Sequence, residues 1–179
     1  MAALLPEDVL IQLLGYGFEP WSSSGWYPAV PPTPNSIERI YQETGVKIPN
    51  LMIRMATECT SYGGWFGSIG EDSHNGNHLL VYNAYWHQEG LPKRYVIFNH
   101  GHDEDCDCWD TESPAEAEYP IVYVQISDDG AVNHVTPLAP GMAEYLDHQA
   151  RSHAPRCPVK ALRRRAKRLL AAYPELSNA

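Results

Sequence analysis

The chain reads as an α+β fold: a mainly antiparallel sheet of about five or six strands with helices on one face. Three observations predict it. Helical spacing governs both ends of the chain, and β-branched and aromatic runs fill its middle. The run from Tyr119 to Ile126 is also apolar on both alternating faces, as a central strand requires. With 179 residues, 44% hydrophobic and 20% charged, the chain can bury a sizeable core and is too apolar for a disordered one.

Residues 6–14 predict a short helix. Pro6 suits a first helical position, Glu7 and Asp8 favour the positive end of the dipole, Gly15 closes it, and Val9, Leu10, Leu13 and Leu14 form its apolar face. Pro, Ser and Gly between Glu19 and Pro34 mark a long connector. A second helix starts at Thr33 as cap with Pro34 first, runs through Ile37, Ile40, Tyr41 and Thr44, and stops at Gly45. A third follows Pro49, with Leu51, Met52, Met55, Ala56 and Cys59 on one face.

After Tyr62-Gly63-Gly64 the pattern changes. Asn75-Gly76 is a hairpin signal, and the runs Leu79 to Trp86, Tyr95 to Phe98 and Tyr119 to Ile126 read as strands. Asp129-Gly130 turns the last of these into Ala131 to Val135. Helical spacing returns at Met142, Tyr145, Leu146 and Gln149, and again from Pro158 to Tyr173. The expected organisation is a segment 1–33, a domain 34–150 and a basic amphipathic helix within 151–179 packed on that domain.

The net charge of −9 hides an asymmetry. Residues 1–150 hold 5 Lys+Arg against 21 Asp+Glu, a net of −16, while residues 151–179 hold 8 basic residues and only Glu175, a net of +7. So acidic a body repels nucleic acid and anionic lipid and steers a basic protein partner towards itself. No apolar run is long enough to span a bilayer, and Glu7 and Asp8 stand where a secretory signal carries cations, which places the chain in the cytoplasm. There Cys59, Cys106, Cys108 and Cys157 are expected to be reduced thiols.

The densest polar segment, Asn99 to Asp110, raises a metal hypothesis. Its spacings fit poorly, because Cys106 and Cys108 do not form a C-x2-C knuckle, and His100 with His102 lacks the further ligands that cupin or metallo-hydrolase templates need. A solvated acidic loop is the simpler reading. His74 and His78 bracket the Asn75-Gly76 turn, and exposed turn histidines are commoner than ligands there. No G-x-S-x-G elbow and no G-x-x-x-x-G-K phosphate loop occurs. The last helix has an apolar stripe of Val159, Leu162, Ala166, Leu169, Leu170 and Tyr173 opposite Lys160, Arg163, Arg164, Arg165, Lys167 and Arg168. Docking of the stripe, with the cations solvated or paired to the acidic body, is favoured over nucleic-acid binding through Arg163, Arg164 and Arg165.

A series of segments then acquires meaning from its order. The helix start Ser36-Ile37-Glu38-Arg39-Ile40 is followed by Gly45-Val46-Lys47-Ile48-Pro49, by Tyr62-Gly63-Gly64 and by Leu91-Pro92-Lys93-Arg94-Tyr95-Val96-Ile97-Phe98. The turn Gly101 to Asp105, Cys108-Trp109-Asp110, Tyr119-Pro120-Ile121-Val122-Tyr123-Val124 and Met142-Ala143-Glu144-Tyr145-Leu146 complete it. From roughly Pro34 to Ala150 this succession resembles the SMI1/KNR4 family, or SUKH superfamily, of bacterial toxin-immunity proteins. The chain departs from the pattern at Ile48, where Leu is usual, at Cys59-Thr60-Ser61, and at both ends.

The resemblance implies a non-enzymatic immunity protein without a cofactor, which binds a cognate polymorphic toxin and blocks it in the producing cell. The acidic body agrees, since toxins that act on nucleic acid or nucleotides present basic active sites. The expected partner-binding residues are Asp72, Glu89, Asp103, Glu104, Asp105, Asp107 and Asp110, with Trp86 and Trp109 as aromatic anchors. The alternatives are a small metal-dependent enzyme or metalloprotein using the His100 to Cys108 segment and a regulatory scaffold without a toxin, as fungal members of the family suggest.

Overall fold

The computed structural model describes residues 4–15, 32–58, 69–72, 76–100, 105–113, 118–127, 129–157 and 160–174. Helix α1 (Glu7–Leu10) runs on into a π-helical turn, Ile11–Gly15, and buries Val9, Leu10, Ile11, Leu13 and Leu14. Helix α2 (Pro34–Thr44) starts as the sequence predicts. Thr33 Oγ1 accepts from the Ser36 N–H at 3.1 Å, and Ser36 Oγ accepts from the Thr33 N–H at 2.8 Å, which closes a reciprocal capping box. Gly45 ends the helix at φ 75°, the left-handed conformation that glycine adopts without a Cβ penalty. Helix α3 (Asn50–Glu58) buries Leu51, Met52 and Met55, three of the expected face, while Cys59 lies outside the described residues.

A short antiparallel pair follows, β1 (Glu71–Asp72) with β2 (Gly76–Asn77); Gly76 of the expected turn belongs to β2, and His74 and Asn75 lie outside the described residues. The next element corrects the sequence reading. Residues 79–86 are not a strand but the body of helix α4 (His78–Glu89). Asn77 caps it by accepting from the Leu80 N–H at 3.2 Å, and Gly90 closes it. The buried side chains Leu79, Asn83 and Trp86 recur at i, i+4 and i+7. That helical face escapes notice because its middle residue is polar while Val81 and Tyr85, on the other side, are exposed.

Asn83 explains the placement of α4. Its Nδ2 donates to the Ile97 carbonyl at 2.7 Å and its Oδ1 accepts from the Ile97 N–H at 2.8 Å, while His87 Nε2 donates to the Tyr95 carbonyl at 3.0 Å. The helix thus satisfies the outer edge of β3 (Tyr95–His100), which would otherwise offer open ladder groups to another chain. The main sheet adds β4 (Asp105–Asp110), β5 (Ile121–Ile126) and β6 (Val132–Ala139) in the order β3-β4-β5-β6, antiparallel throughout. It has four strands rather than five or six, because the run over 79–86 belongs to α4. The central position expected for 119–126 is held by β5.

Helices reach both faces of this sheet, not one. Val96, Phe98, Trp109 and Ile121 meet α1, α2, α3 and α5 (Met142–His153) in the larger core. On the opposite face Ile97, Cys106, Cys108, Val122, Val124 and Ile126 form a second cluster, into which α4 sends Trp86 and Tyr82. The N-terminal segment is tied to α5 by Asp147, which accepts from the Leu5 N–H at 2.8 Å and from Arg151 Nε at 2.6 Å. Helix α6 (Lys160–Ala171) packs on the larger core through buried Ala166 and half-buried Leu169 and Leu170, with Tyr173 just beyond it, while Val159 of the expected stripe lies outside the described residues. Among the described residues no helix is long and apolar enough to cross a membrane.

Candidate functional site: an open polar half of the sheet

Strand alternation and register build the site. On the face toward α5, the row Trp109–Ile121–Ala139 is covered by helices. The next row is Asp107–Tyr123–Thr136, and the one beyond it Asp105–Gln125–His134. Exposure rises along these rows: Ile121 is buried, Tyr123 half-buried, and Gln125, His134 and Thr136 exposed. The helix layer therefore stops short, leaving a polar surface at the end of the sheet where the connection 101–104 joins β3 to β4.

Two carboxylates stand in that surface, and no Lys or Arg occupies these rows. Asp105 accepts from the Tyr123 hydroxyl at 2.5 Å. This bond holds the phenol proton and pushes Tyr123 up to about 12, with desolvation adding to the shift. Asp107 accepts from Asn99 Nδ2 at 2.8 Å and from the Tyr145 hydroxyl at 2.5 Å. Its burial raises its carboxyl above the ordinary value, and the two hydrogen bonds oppose that rise without cancelling it. Thr136 Oγ1 and His134 Nε2 are 2.8 Å apart and order the β6 side. Replacing Asp105 by Asn is expected to return the Tyr123 phenol toward its ordinary 10.0, followed as the pH titration of its ring carbon resonance; a midpoint still near 12 would contradict the Asp105 assignment.

The other expected residues are distributed differently. Asp110 is buried at the far end of β4, where Arg94 clamps it with Nε to Oδ1 at 3.0 Å and Nη2 to Oδ2 at 2.7 Å. This is an internal ion pair, and the guanidinium is held still more firmly protonated by it. Glu89 is exposed at the C-terminus of α4, beside the β5–β6 turn. Asp72 lies on β1, paired with Gly76 through the backbone. Asp103 and Glu104 lie outside the described residues. Trp109 and Trp86, expected as aromatic anchors, are 1% and 8% exposed and pack in the two cores, so they support the sheet from within. Trp109 stacks on Phe98 at 4.5 Å between centroids, and Phe98 meets Tyr145 edge-on at 5.4 Å.

The strand also divides the donors of the metal hypothesis. Cys106 and Cys108 enter the second core, while Asp105 and Asp107 face the opposite side. Among the described residues no group of three or more His, Cys, Asp or Glu side chains converges. Burial pushes the Cys106 thiol up to about 12, with the neighbouring carboxylates adding to the shift, and burial likewise raises Cys108 well above its ordinary value, so neither is a ready thiolate. The surface can accept hydrogen bonds and charge from a basic partner.

Sequence reasoning missed Asn99, Tyr123, Gln125, His134, Thr136 and Tyr145. The period-2 polar alternation of His134 and Thr136 was the available signal, hidden because the last strand was read only as far as Val135.

Comparison with known proteins gives one match. The family model described as SMI1 / KNR4 family (SUKH-1) matches residues 31–148, a span that holds α2, the whole sheet and its polar rows. No curated protein and no solved structure matches. The matched span covers about two thirds of the chain, so the chain belongs to the SMI1/KNR4 family (SUKH-1).

Proposed function

We propose that this chain is an immunity protein that binds and neutralises a cognate toxin domain in the cytoplasm, without catalysis of its own. The observation that carries the reading is the open polar half of the sheet, whose fixed charges are the carboxylates of Asp105 and Asp107. Tyr123 and Tyr145 hold those carboxylates in place, so a cationic partner meets acceptors that need little reordering. The connection 101–104 adds Asp103 and Glu104 next to Asp105 in sequence, and the body's net charge of −16 supplies long-range attraction. A toxin domain that acts on nucleic acid or nucleotides has the complementary basic surface. Family membership supports the reading, because toxin immunity is the role that resemblance to this family implies.

The test is capture of the tagged chain from its native cells, followed by expression of the co-purifying protein's C-terminal domain with and without this chain. A domain that is toxic alone and harmless in a 1:1 complex is the expected result. Toxicity that persists when the complex partner is present in excess would overturn the proposal.

A further inference from the structure

Helix α6 lies outside the family span, and its polar side is rich in Lys and Arg. Lys160, Arg163, Arg164, Lys167 and Arg168 recur at i, i+3, i+4, i+7 and i+8, which puts all five on one face. Their ridge is about 12 Å long at 1.5 Å per residue. All five are exposed, and among the described residues none of them forms an ion pair. Elsewhere Arg39, Arg54, Arg94 and Arg151 each hold at least one carboxylate. Of the two fates expected for these cations, solvated or paired to the acidic body, the five are exposed without an ion pair among the described residues.

The surroundings reinforce the ridge. Glu7 and Asp8 of α1 are taken by Arg54, and Asp147 of α5 by Arg151. Burial lowers the pKa of His153, and Arg156 and His148 add to the shift. Ala166, Leu169 and Leu170 of the apolar stripe pack against the core, so those side chains are not free to enter a bilayer.

We propose that the α6 ridge binds the phosphate backbone of a nucleic acid. The ridge itself offers cations alone, with no apolar or aromatic side chain among the five. A phosphate backbone needs nothing more, and three of the five side chains are arginines, whose planar fork matches phosphate oxygens. Segregation of charge resolves the conflict with the acidic body: the carboxylates confine the contact to α6 and make it weak and salt-sensitive. This inference is independent of the immunity reading, since it uses residues beyond the family span.

The test is fluorescence anisotropy of the full chain with labelled duplex DNA and single-stranded RNA. Five neutralised phosphates give a log–log salt slope of about −4.5 on duplex, or roughly a 500-fold loss of affinity between about 50 and 200 mM salt. The variant Arg163→Glu/Arg164→Glu/Lys167→Glu should lose binding at low salt. The milder Arg163→Gln/Arg164→Gln should keep the fold and lower the slope by about two phosphates, to about −2.7. Absence of binding at low salt, or unchanged affinity in the milder variant with its circular dichroism intact, would overturn the proposal. So would equal affinity for polyglutamate or for phosphatidylglycerol vesicles, which would reassign the ridge to acidic protein or to membrane.

Discussion

Replacing Asn83 by Leu is expected to destabilise the chain by about 2–5 kcal/mol, read as a shift of the urea unfolding midpoint. Leu keeps the branching of the side chain but cannot hydrogen-bond, so the loss comes chiefly from the broken bonds, with its bulkier methyl groups adding to it. Asn83 satisfies both the N–H and the C=O of Ile97, at 2.8 and 2.7 Å, and also donates to the Leu79 carbonyl at 2.8 Å. Ile97 is 2% exposed, so water cannot replace the amide. Each orphaned buried group costs about 1–3 kcal/mol, and Leu leaves two on the same residue. The variant should also show faster amide exchange along β3, because the edge that α4 covers is loosened. A loss below about 1 kcal/mol would show that Asn83 does not hold helix to sheet.

Gly130→Ala should cost about 3 kcal/mol or more, and Gly45→Ala only about 1–2 kcal/mol. The pair separates two causes. Both glycines have φ 75°, so an alanine at either pays the left-handed penalty. A Cβ at Gly45 meets nothing within 4 Å, whereas one at Gly130 falls 2.5 Å from the Glu89 carbonyl carbon and oxygen and 2.8 Å from the Gly90 nitrogen. Those are backbone atoms, so relief requires the end of α4 to move away from the β5–β6 turn. Equal losses in the two variants, measured by chemical denaturation, would remove the close approach as the cause.

What could be read from the sequence was local or periodic. The Thr33 cap, Pro34 start and Gly45 stop of α2 are decided within a few residues, and all three are found. The stripe of α6 is equally legible, because every one of its turns repeats the same division between apolar and charged side chains. Helix α4 was misread because Leu79 to Trp86 is rich in β-forming residues on all sides, and the residue that fixes it, Asn83, finds its partners 14 positions away. The polar rows depend on register, which joins Asp105 to Gln125 and His134 only after three strands have paired. The acidic candidates show the same limit. Asp105 and Asp110 bound one strand and look alike in sequence, yet one faces the open surface with Tyr123 and the other is buried against Arg94.

The open acidic half of the sheet is the surface on which we propose that a basic toxin domain docks. The most direct test of that docking is the association rate constant of that domain with the intact chain as a function of ionic strength, compared with the Asp105→Lys variant. An electrostatically steered encounter should slow by about tenfold or more from low to physiological salt, and the variant should associate more slowly at low salt with its unfolding midpoint nearly unchanged. A rate that is independent of salt and identical in the variant would place the toxin elsewhere on the molecule and contradict the account.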